Sequence, residues 1–235
     1  MKRKTPEMDN GSEIKCAIEE LSMFGKLKLG DDPGSAHIPT KPFLHLCQVM
    51  LHVLDKIGPT MTVLRQDIHQ NIERLEMLCE SDPSKYSNLV EMLKTEDIEG
   101  NARKGTSCSK AFLWLTRSLD FSVALLQKLV KDPEENMEKV VEESYEITLK
   151  PCHGWISSAA FRITLKLLPD NKNFIALLKD KDESYDTLKE DMESFVSLLA
   201  PILEEIHSIL RFYKLERFKP ILERSHMETK AKVTG

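Results

Sequence analysis

Apolar residues recur along the chain at the three- and four-residue spacing of amphipathic helices, and no stretch shows the strict alternation of a half-buried strand. Pro42, Pro83 and Pro133 each stand at the start of an apolar run, where the missing proline N–H costs nothing in a first helical turn. The fold is therefore expected to be all-α. The pattern predicts helices over 43–57, 62–78, 85–99, 108–130, 134–150, 156–168, 171–178 and 187–210.

The run 108–130 differs from the others because apolar side chains fall on nearly all of its sides. Phe112, Leu115, Leu119 and Val123 are joined by further alanine and leucine residues on the remaining faces. A helix that is apolar all round must be covered on every side. We therefore expect this helix to lie between two helical layers at the centre of the molecule.

The two ends of the chain lack this periodicity. Residues 1–36 are mostly polar, and the segment GDDPGSAHIP at 30–39 is rich in the glycine and proline that interrupt helices. We expect 1–36 to be a flexible N-terminal extension, with one or two helical turns near 14–24. A compact domain is expected over 37–215, followed by a flexible tail at 216–235.

Composition and charge narrow the class of protein. The 235 residues include 33 Lys and Arg against 38 Asp and Glu, a net charge of −5, and 41% are apolar. Those values are typical of a soluble globular protein, and the mild acidity disfavours nucleic-acid binding. The five cysteines are odd in number and widely spaced, which indicates a reducing compartment. With no secretory signal and no apolar run of about 20 residues, a cytoplasmic protein is expected.

A polar cluster lies on one face of the helix predicted at 62–78. Asp67, Asn71 and Arg74 are spaced i, i+4 and i+7, so they project from one side, next to an apolar stripe. A charged acceptor, an amide and a planar donor together suit a hydroxyl-rich ligand. The same spacing also fits a solvated rim with a helix-surface ion pair.

Trp114, His153 and Trp155 are further candidates for a site. Trp114 fits core packing as well as ligand contact, and His153, in the segment KPCHGW, fits a structural role as well as ligand binding. Trp155 is either a core residue or an interfacial anchor. The chain contains no GxSxG, HExxH, P-loop or GxGxxG motif, so we expect neither an enzyme nor a cofactor or metal site.

Four segments, in this order, resemble the glycolipid transfer protein family: KPFLHLCQVMLHVLDKIGPTM, DIHQNIERLE, FLWLTRSLDF and TLKPCHGWISSAAF. The similarity runs from about residue 40 to 215. It implies a two-layer sandwich of about eight helices that encloses an apolar cavity for one sphingolipid. It also implies a monomer that touches membrane surfaces transiently and needs no cofactor.

The resemblance assigns a headgroup role to four residues. Asp67 is expected to accept hydrogen bonds from the ceramide amide and a sugar hydroxyl, and Asn71 to bind sugar hydroxyls. Arg74 stands where the family commonly has lysine and is expected to donate to sugar oxygens. Trp114 is expected to form a platform beneath the sugar ring.

Two residues receive other roles from the resemblance. His153 is expected to donate to the ceramide carbonyl, and Trp155, beside it, to help the protein dock on membranes. The function implied is a soluble carrier that binds one glycosphingolipid, such as a glucosylceramide, and transfers it between membranes. A sensor that binds the same lipid but transfers little of it needs the same pocket and stays an alternative.

A sister branch of the family carries ceramide-1-phosphate, and it differs at the headgroup. That branch has Lys in place of the Asn, and Arg at the Trp position and four residues later, whereas this chain has Asn71, Trp114 and Ser118. Only Arg74 and, if it lies nearby, Arg117 could meet a phosphate, which needs several cationic donors. A neutral sugar headgroup is therefore expected, with a ceramide-1-phosphate or other sphingolipid carrier as the alternative.

Overall fold

A computed structural model describes residues 13–24, 33–180 and 182–216 of the chain. These residues form ten α-helices and no β-strand, which confirms the predicted all-α class. Short 3-10 turns precede α2, α3 and α8 in the helix order that follows. The helices are α1 (Glu13–Met23), α2 (Thr40–Ile57), α3 (Thr62–Ser81), α4 (Pro83–Tyr86), α5 (Leu89–Ile98), α6 (Cys108–Lys131), α7 (Met137–Thr148), α8 (Trp155–Leu165), α9 (Asn171–Leu178) and α10 (Tyr185–Phe212).

The helix that is apolar on all sides, α6, lies at the centre of the fold as predicted. It packs against α3, α5, α7 and α10. Its side chains Phe112, Leu115 and Leu129 are fully buried, and the ring of Phe112 meets that of Phe43 in α2 edge to face, with centroids 4.9 Å apart. Away from α6, helix α2 packs against α3 and α1, and α1 packs against α10. Helices therefore cover α6 on several sides and form a layered helical sandwich.

The start of α6 is fixed by side chains that satisfy its first N–H groups. Ser107 Oγ accepts from the Lys110 N–H at 3.0 Å. The Glu96 carboxylate of α5 accepts from the N–H groups of Cys108 and Ser109, at 2.9 and 2.7 Å. A carboxylate at a helix N-terminus is stabilising because it meets the positive end of the helix dipole. This capping determines where the helix that carries Trp114 begins.

Asparagine caps explain two of the differences between the predicted and the observed helix boundaries. The run 85–99 is divided, because the Asn88 side chain accepts from the Val90 N–H at 3.1 Å and so caps a separate helix, α5. Pro133 lies in a turn rather than at a helix start, and α7 begins only after Asn136, whose side chain accepts from the Lys139 N–H at 3.2 Å. In both places a capping asparagine sets the boundary.

The helical turns expected near 14–24 are present, but they form a helix packed into the core rather than part of a flexible extension. This helix, α1, buries Ile14, Ala17 and Leu21 against α2 and α10. Two ion pairs also hold α1 in place. Lys15 Nζ lies 2.5 Å from a Glu183 carboxylate oxygen, and another pair links α1 to α2. The apolar face of α1 and its ion pairs together attach this helix to the core.

The expected tail at 216–235 also begins one residue too early. Glu216 is buried and bonded to side chains of α6 and α10. Residues 217–235, which make up the rest of that prediction, lie outside the described residues.

Candidate functional site

The predicted polar face of α3 is present and is directed toward the start of α6. Asp67 is exposed, Asn71 is buried and Arg74 is half-buried. Asn71 Nδ2 donates to the backbone carbonyl of Asp67 at 3.0 Å, and Arg74 Nη1 donates to the carbonyl of Ser107 at 3.5 Å. No ion pair between Asp67 and Arg74 occurs in the described structure. The solvated rim stays an alternative for this face, but Asp67 and Arg74 do not supply its ion pair.

Trp114 and His153 come together although 39 positions separate them in the sequence. Their ring centroids are 5.5 Å apart, with the planes tilted by 43°. One turn earlier in α6, Lys110 places its Nζ 5.6 Å from the centroid of the Trp114 ring. Trp114 is only half-buried, unlike its neighbours Leu113 and Leu115, so it is not a plain core residue.

A tyrosine that the sequence analysis missed holds His153 from the other side. The Tyr145 hydroxyl lies 3.2 Å from His153 Nδ1 and 3.1 Å from Ser158 Oγ. The Tyr145 ring stacks on Phe161 with centroids 3.6 Å apart. In the sequence, Tyr145 is one more residue on the buried face of α7, and nothing in that pattern connects it to a histidine in the following loop.

The electrostatics of His153 connect α3, α6 and the loop after α7. Burial lowers the pKa of His153 below its ordinary value, the nearby Asp67 carboxylate acts to raise it, and the Arg117 guanidinium acts to lower it further. Because burial dominates, the imidazole is neutral near pH 7, with one nitrogen that donates and one that accepts. Asp67, Trp114 and His153 thus lie around one place, where they can offer an acceptor, a flat apolar surface and an imidazole.

Arg117 lies near this place but is already paired. Its side chain is buried, Nη2 donates to Glu216 Oε1 at 3.0 Å, and Nη1 contacts Sγ of Cys152, the residue before His153. The sequence alone left open whether Arg117 adds a cation to the site. The structure places a carboxylate directly against it.

The structure leaves some predictions about the site untested. Trp155 begins α8, but its side chain lies outside what the structure describes, so the membrane-docking role stays a prediction. In the described ranges, no group of three or more His, Cys, Asp or Glu side chains is arranged to hold a metal ion. Nor is any described helix both long enough and apolar enough to cross a bilayer.

Comparison with known proteins supports the resemblance seen in the motifs. A family model described as glycolipid transfer protein matches residues 38–180. Glycolipid transfer protein 3 of Arabidopsis thaliana is 51% identical over 231 residues, covering 93% of this chain and 99% of the relative. Glycolipid transfer protein 2 of the same plant is 52% identical over 221 residues, with the same coverage of both chains.

Solved structures with the same fold belong to proteins described for different headgroups. A structure of FAPP2, described as selecting simple glycosphingolipids by a GLTP fold, superposes with a TM-score of 0.73 at 23% identity and covers 90% of this chain and 96% of its own. The mouse ceramide-1-phosphate transfer protein superposes with a TM-score of 0.76 at 17% identity, covering 89% and 100%. At these identities the likeness establishes the fold, and the headgroup must be argued from the site.

Proposed function

The chain belongs to the glycolipid transfer protein family, and on that basis we propose that it is a carrier that binds one glycosphingolipid and transfers it between membranes. The observation that carries the headgroup assignment is the approach of Trp114 to His153 beside the Asp67 carboxylate, with an uncharged amide, Asn71, on the same helix. A flat ring with hydrogen-bonding groups around it suits a sugar.

Each group has a chemical task in this proposal. The exposed Asp67 carboxylate accepts from the ceramide amide N–H and from a sugar hydroxyl. Asn71 and Arg74 bind further sugar hydroxyls, and the Trp114 ring lies beneath the sugar. His153 donates to the ceramide carbonyl through Nε2–H; in that state the Tyr145 hydroxyl, 3.2 Å away, donates to Nδ1 and holds the ring in place.

The apolar chains of the lipid set the physical requirement for a carrier. Each CH₂ group removed from water contributes about 0.8 kcal/mol, so a ceramide with on the order of 30 methylenes costs roughly 20 kcal/mol to expose. We propose that the two helical layers enclose those chains in an apolar cavity. The polar groups then fix the head, and no bond is made or broken.

Transfer also requires reversible contact with membranes, for which α8 is the candidate. Trp155 begins this helix, and Ile163 in its last turn is 67% exposed. Apolar side chains of this kind partition into the interfacial region of a bilayer. All the site elements come from one chain, so we propose that the protein acts as a monomer. The cysteine pattern of the sequence favours the cytoplasm.

Vesicle-to-vesicle transfer of fluorescent glucosylceramide, with fluorescent ceramide-1-phosphate measured in parallel, tests this proposal. Transfer of the sugar lipid alone supports it. Transfer of the phosphate lipid alone keeps the carrier but overturns the headgroup assignment. Transfer of neither, together with binding of glucosylceramide, identifies a sensor instead.

Binding can be followed separately through tryptophan fluorescence, because the chain has two tryptophans, Trp114 and Trp155. In the variant Trp155→Phe all tryptophan emission comes from Trp114. A sugar that lies on the Trp114 ring is expected to change the tryptophan emission. Vesicles with glucosylceramide should therefore shift the emission spectrum, and vesicles without glucosylceramide should not.

A further inference from the structure

A buried charge network lies directly behind the headgroup site. Arg117 Nη2 donates to Glu216 Oε1 at 3.0 Å, and the other Glu216 oxygen lies 2.7 Å from His207 Nδ1. His207 Nε2 in turn lies 2.9 Å from both carboxylate oxygens of Asp120. The network joins α6, α10 and the segment after α10.

The four charges balance when His207 is protonated. Arg117 and His207 supply two positive charges, and Asp120 and Glu216 supply two negative ones. All four side chains are close to fully buried, so little solvent is available to screen any charge left without its partner. Removal of one member therefore changes the electrostatic potential around the network.

Arg117 is the member closest to the headgroup site. It lies one turn after Trp114 in α6, contacts Cys152, and its charge acts on His153. A guanidinium at this position would attract an anionic headgroup if its charge were not compensated. Glu216 provides that compensation, from a position 99 residues away in the sequence.

We propose that Glu216 is a specificity-determining residue: by neutralising Arg117, it keeps the site selective for uncharged sugars over phosphates. The inference deepens the proposed function and rests on it. It assigns the choice of headgroup to a residue behind the site as well as to Asn71 and Trp114 within it. Glu216 touches no lipid in this account and acts only through the charge of Arg117.

The test is the variant Glu216→Gln, which keeps the size of the side chain and an oxygen to accept from Arg117 but removes the charge. The ratio of ceramide-1-phosphate to glucosylceramide transfer is expected to rise about tenfold, since one uncompensated charge in a poorly solvated site commonly changes affinity that much. A merely structural role for Glu216 would lower transfer of both lipids together and leave the ratio unchanged.

Two control variants separate charge from damage. Asp120→Asn removes one of the two carboxylates bonded to His207, which can then release its proton, and it leaves the pair between Arg117 and Glu216, so the ratio should stay near that of the wild type. The double variant Arg117→Met with Glu216→Gln removes both charges and should return the ratio to the wild-type value. A folded Glu216→Gln protein with an unchanged ratio overturns the inference.

The proposed function fails by a different observation, namely no glucosylceramide transfer by the wild type. If Glu216→Gln does not fold, Arg117→Met tests the same idea from the other side, because it leaves the network with one excess negative charge. Transfer of sulfated galactosylceramide relative to plain galactosylceramide should then fall severalfold. An unchanged ratio in that variant overturns the inference equally.

Discussion

At the residue scale, the headgroup site combines side chains that differ in solvent exposure. Asp67 is exposed, whereas Asn71 on the next turn is buried and bonded to the backbone of Asp67. The Asp67 carboxylate can therefore bind a ligand and return to solvent when the ligand departs. The buried Asn71 amide keeps its hydrogen bond in both states, so no buried polar group is left unpaired. This arrangement suits a site that must fill and empty repeatedly.

The variant Asp67→Val should abolish glycosphingolipid transfer with little change in stability. The carboxylate is the proposed acceptor for the amide and a sugar hydroxyl, while an exposed helix position tolerates substitution to within about 0.5 kcal/mol. Transfer and urea unfolding measured on the same preparation check both parts. Asp97→Val, at another exposed helical position on α5, is the matched control and should transfer normally. Near-wild-type transfer by Asp67→Val would refute its role.

Headgroup preference should also respond to changes inside the site. The double variant Asn71→Lys with Trp114→Arg adds two cationic donors and removes the sugar platform. Ceramide-1-phosphate transfer should rise about tenfold and glucosylceramide transfer should fall, because a phosphate site gains with each added cation. Parallel vesicle assays of the two lipids measure this. No rise at all in phosphate-lipid transfer would contradict the charge argument.

At the scale of elements, the sequence predicted the long helices and the short helix α9 well, but not the division of 85–99 or the packing of α1. The apolar side chains on nearly all sides of α6 predicted its central place, and fourteen of its side chains are buried in the structure. The helix α1 has only eleven residues, ends before a glycine- and proline-rich segment, and is held by pairs such as Lys15 with Glu183. Such long-range pairs have no signature in local periodicity.

The packing of α1 predicts that this helix contributes to stability, whereas a flexible extension would be dispensable. Leu21 is 3% exposed in the core, so Leu21→Ala should lower the free energy of unfolding by about 2–5 kcal/mol through lost contacts and a cavity. Ser22→Ala, at the exposed neighbouring position, should change it by less than about 0.5 kcal/mol. Urea unfolding measures the free energy of unfolding of both variants.

Deletion of residues 1–24 should likewise destabilise the protein and reduce transfer. An equally stable deletion variant would show that α1 is not part of the core.

At the scale of the whole molecule, the convergence of the motifs could be predicted but the network behind them could not. The resemblance to the family, carried by four motifs in order, predicts that α3, α6 and the loop with His153 meet at one site. The pairs of Arg117 with Glu216 and of His207 with Asp120 span 99 and 87 positions. No spacing rule connects such residues, and Glu216 was assigned to a tail because the sequence around it lacks periodicity.

The network should make the stability of the whole protein depend on pH. Burial acts to lower the pKa of His207, but the hydrogen bonds and charges of Asp120 and Glu216 outweigh it and raise the pKa from 6.5 to about 9. A raised pKa in the folded state means that the stabilisation is complete below about pH 6.5 and is lost as the pH rises through 9. The loss attributable to His207 is about 3 kcal/mol.

Urea unfolding at pH 6, 7.5 and 9.5 can isolate this contribution by comparing the wild type with His207→Gln. The variant starts less stable, but it should lack the decline of about 3 kcal/mol across this pH range, because its side chain carries no proton to lose. His37→Gln, at an exposed histidine, should keep the wild-type pH dependence. Parallel pH curves for the wild type and His207→Gln would mean that His207 is not the protonated centre of the network. Convergence of the two curves as the pH rises from 6.5 through 9 would show that one proton on α10 stabilises the charge balance behind the headgroup site.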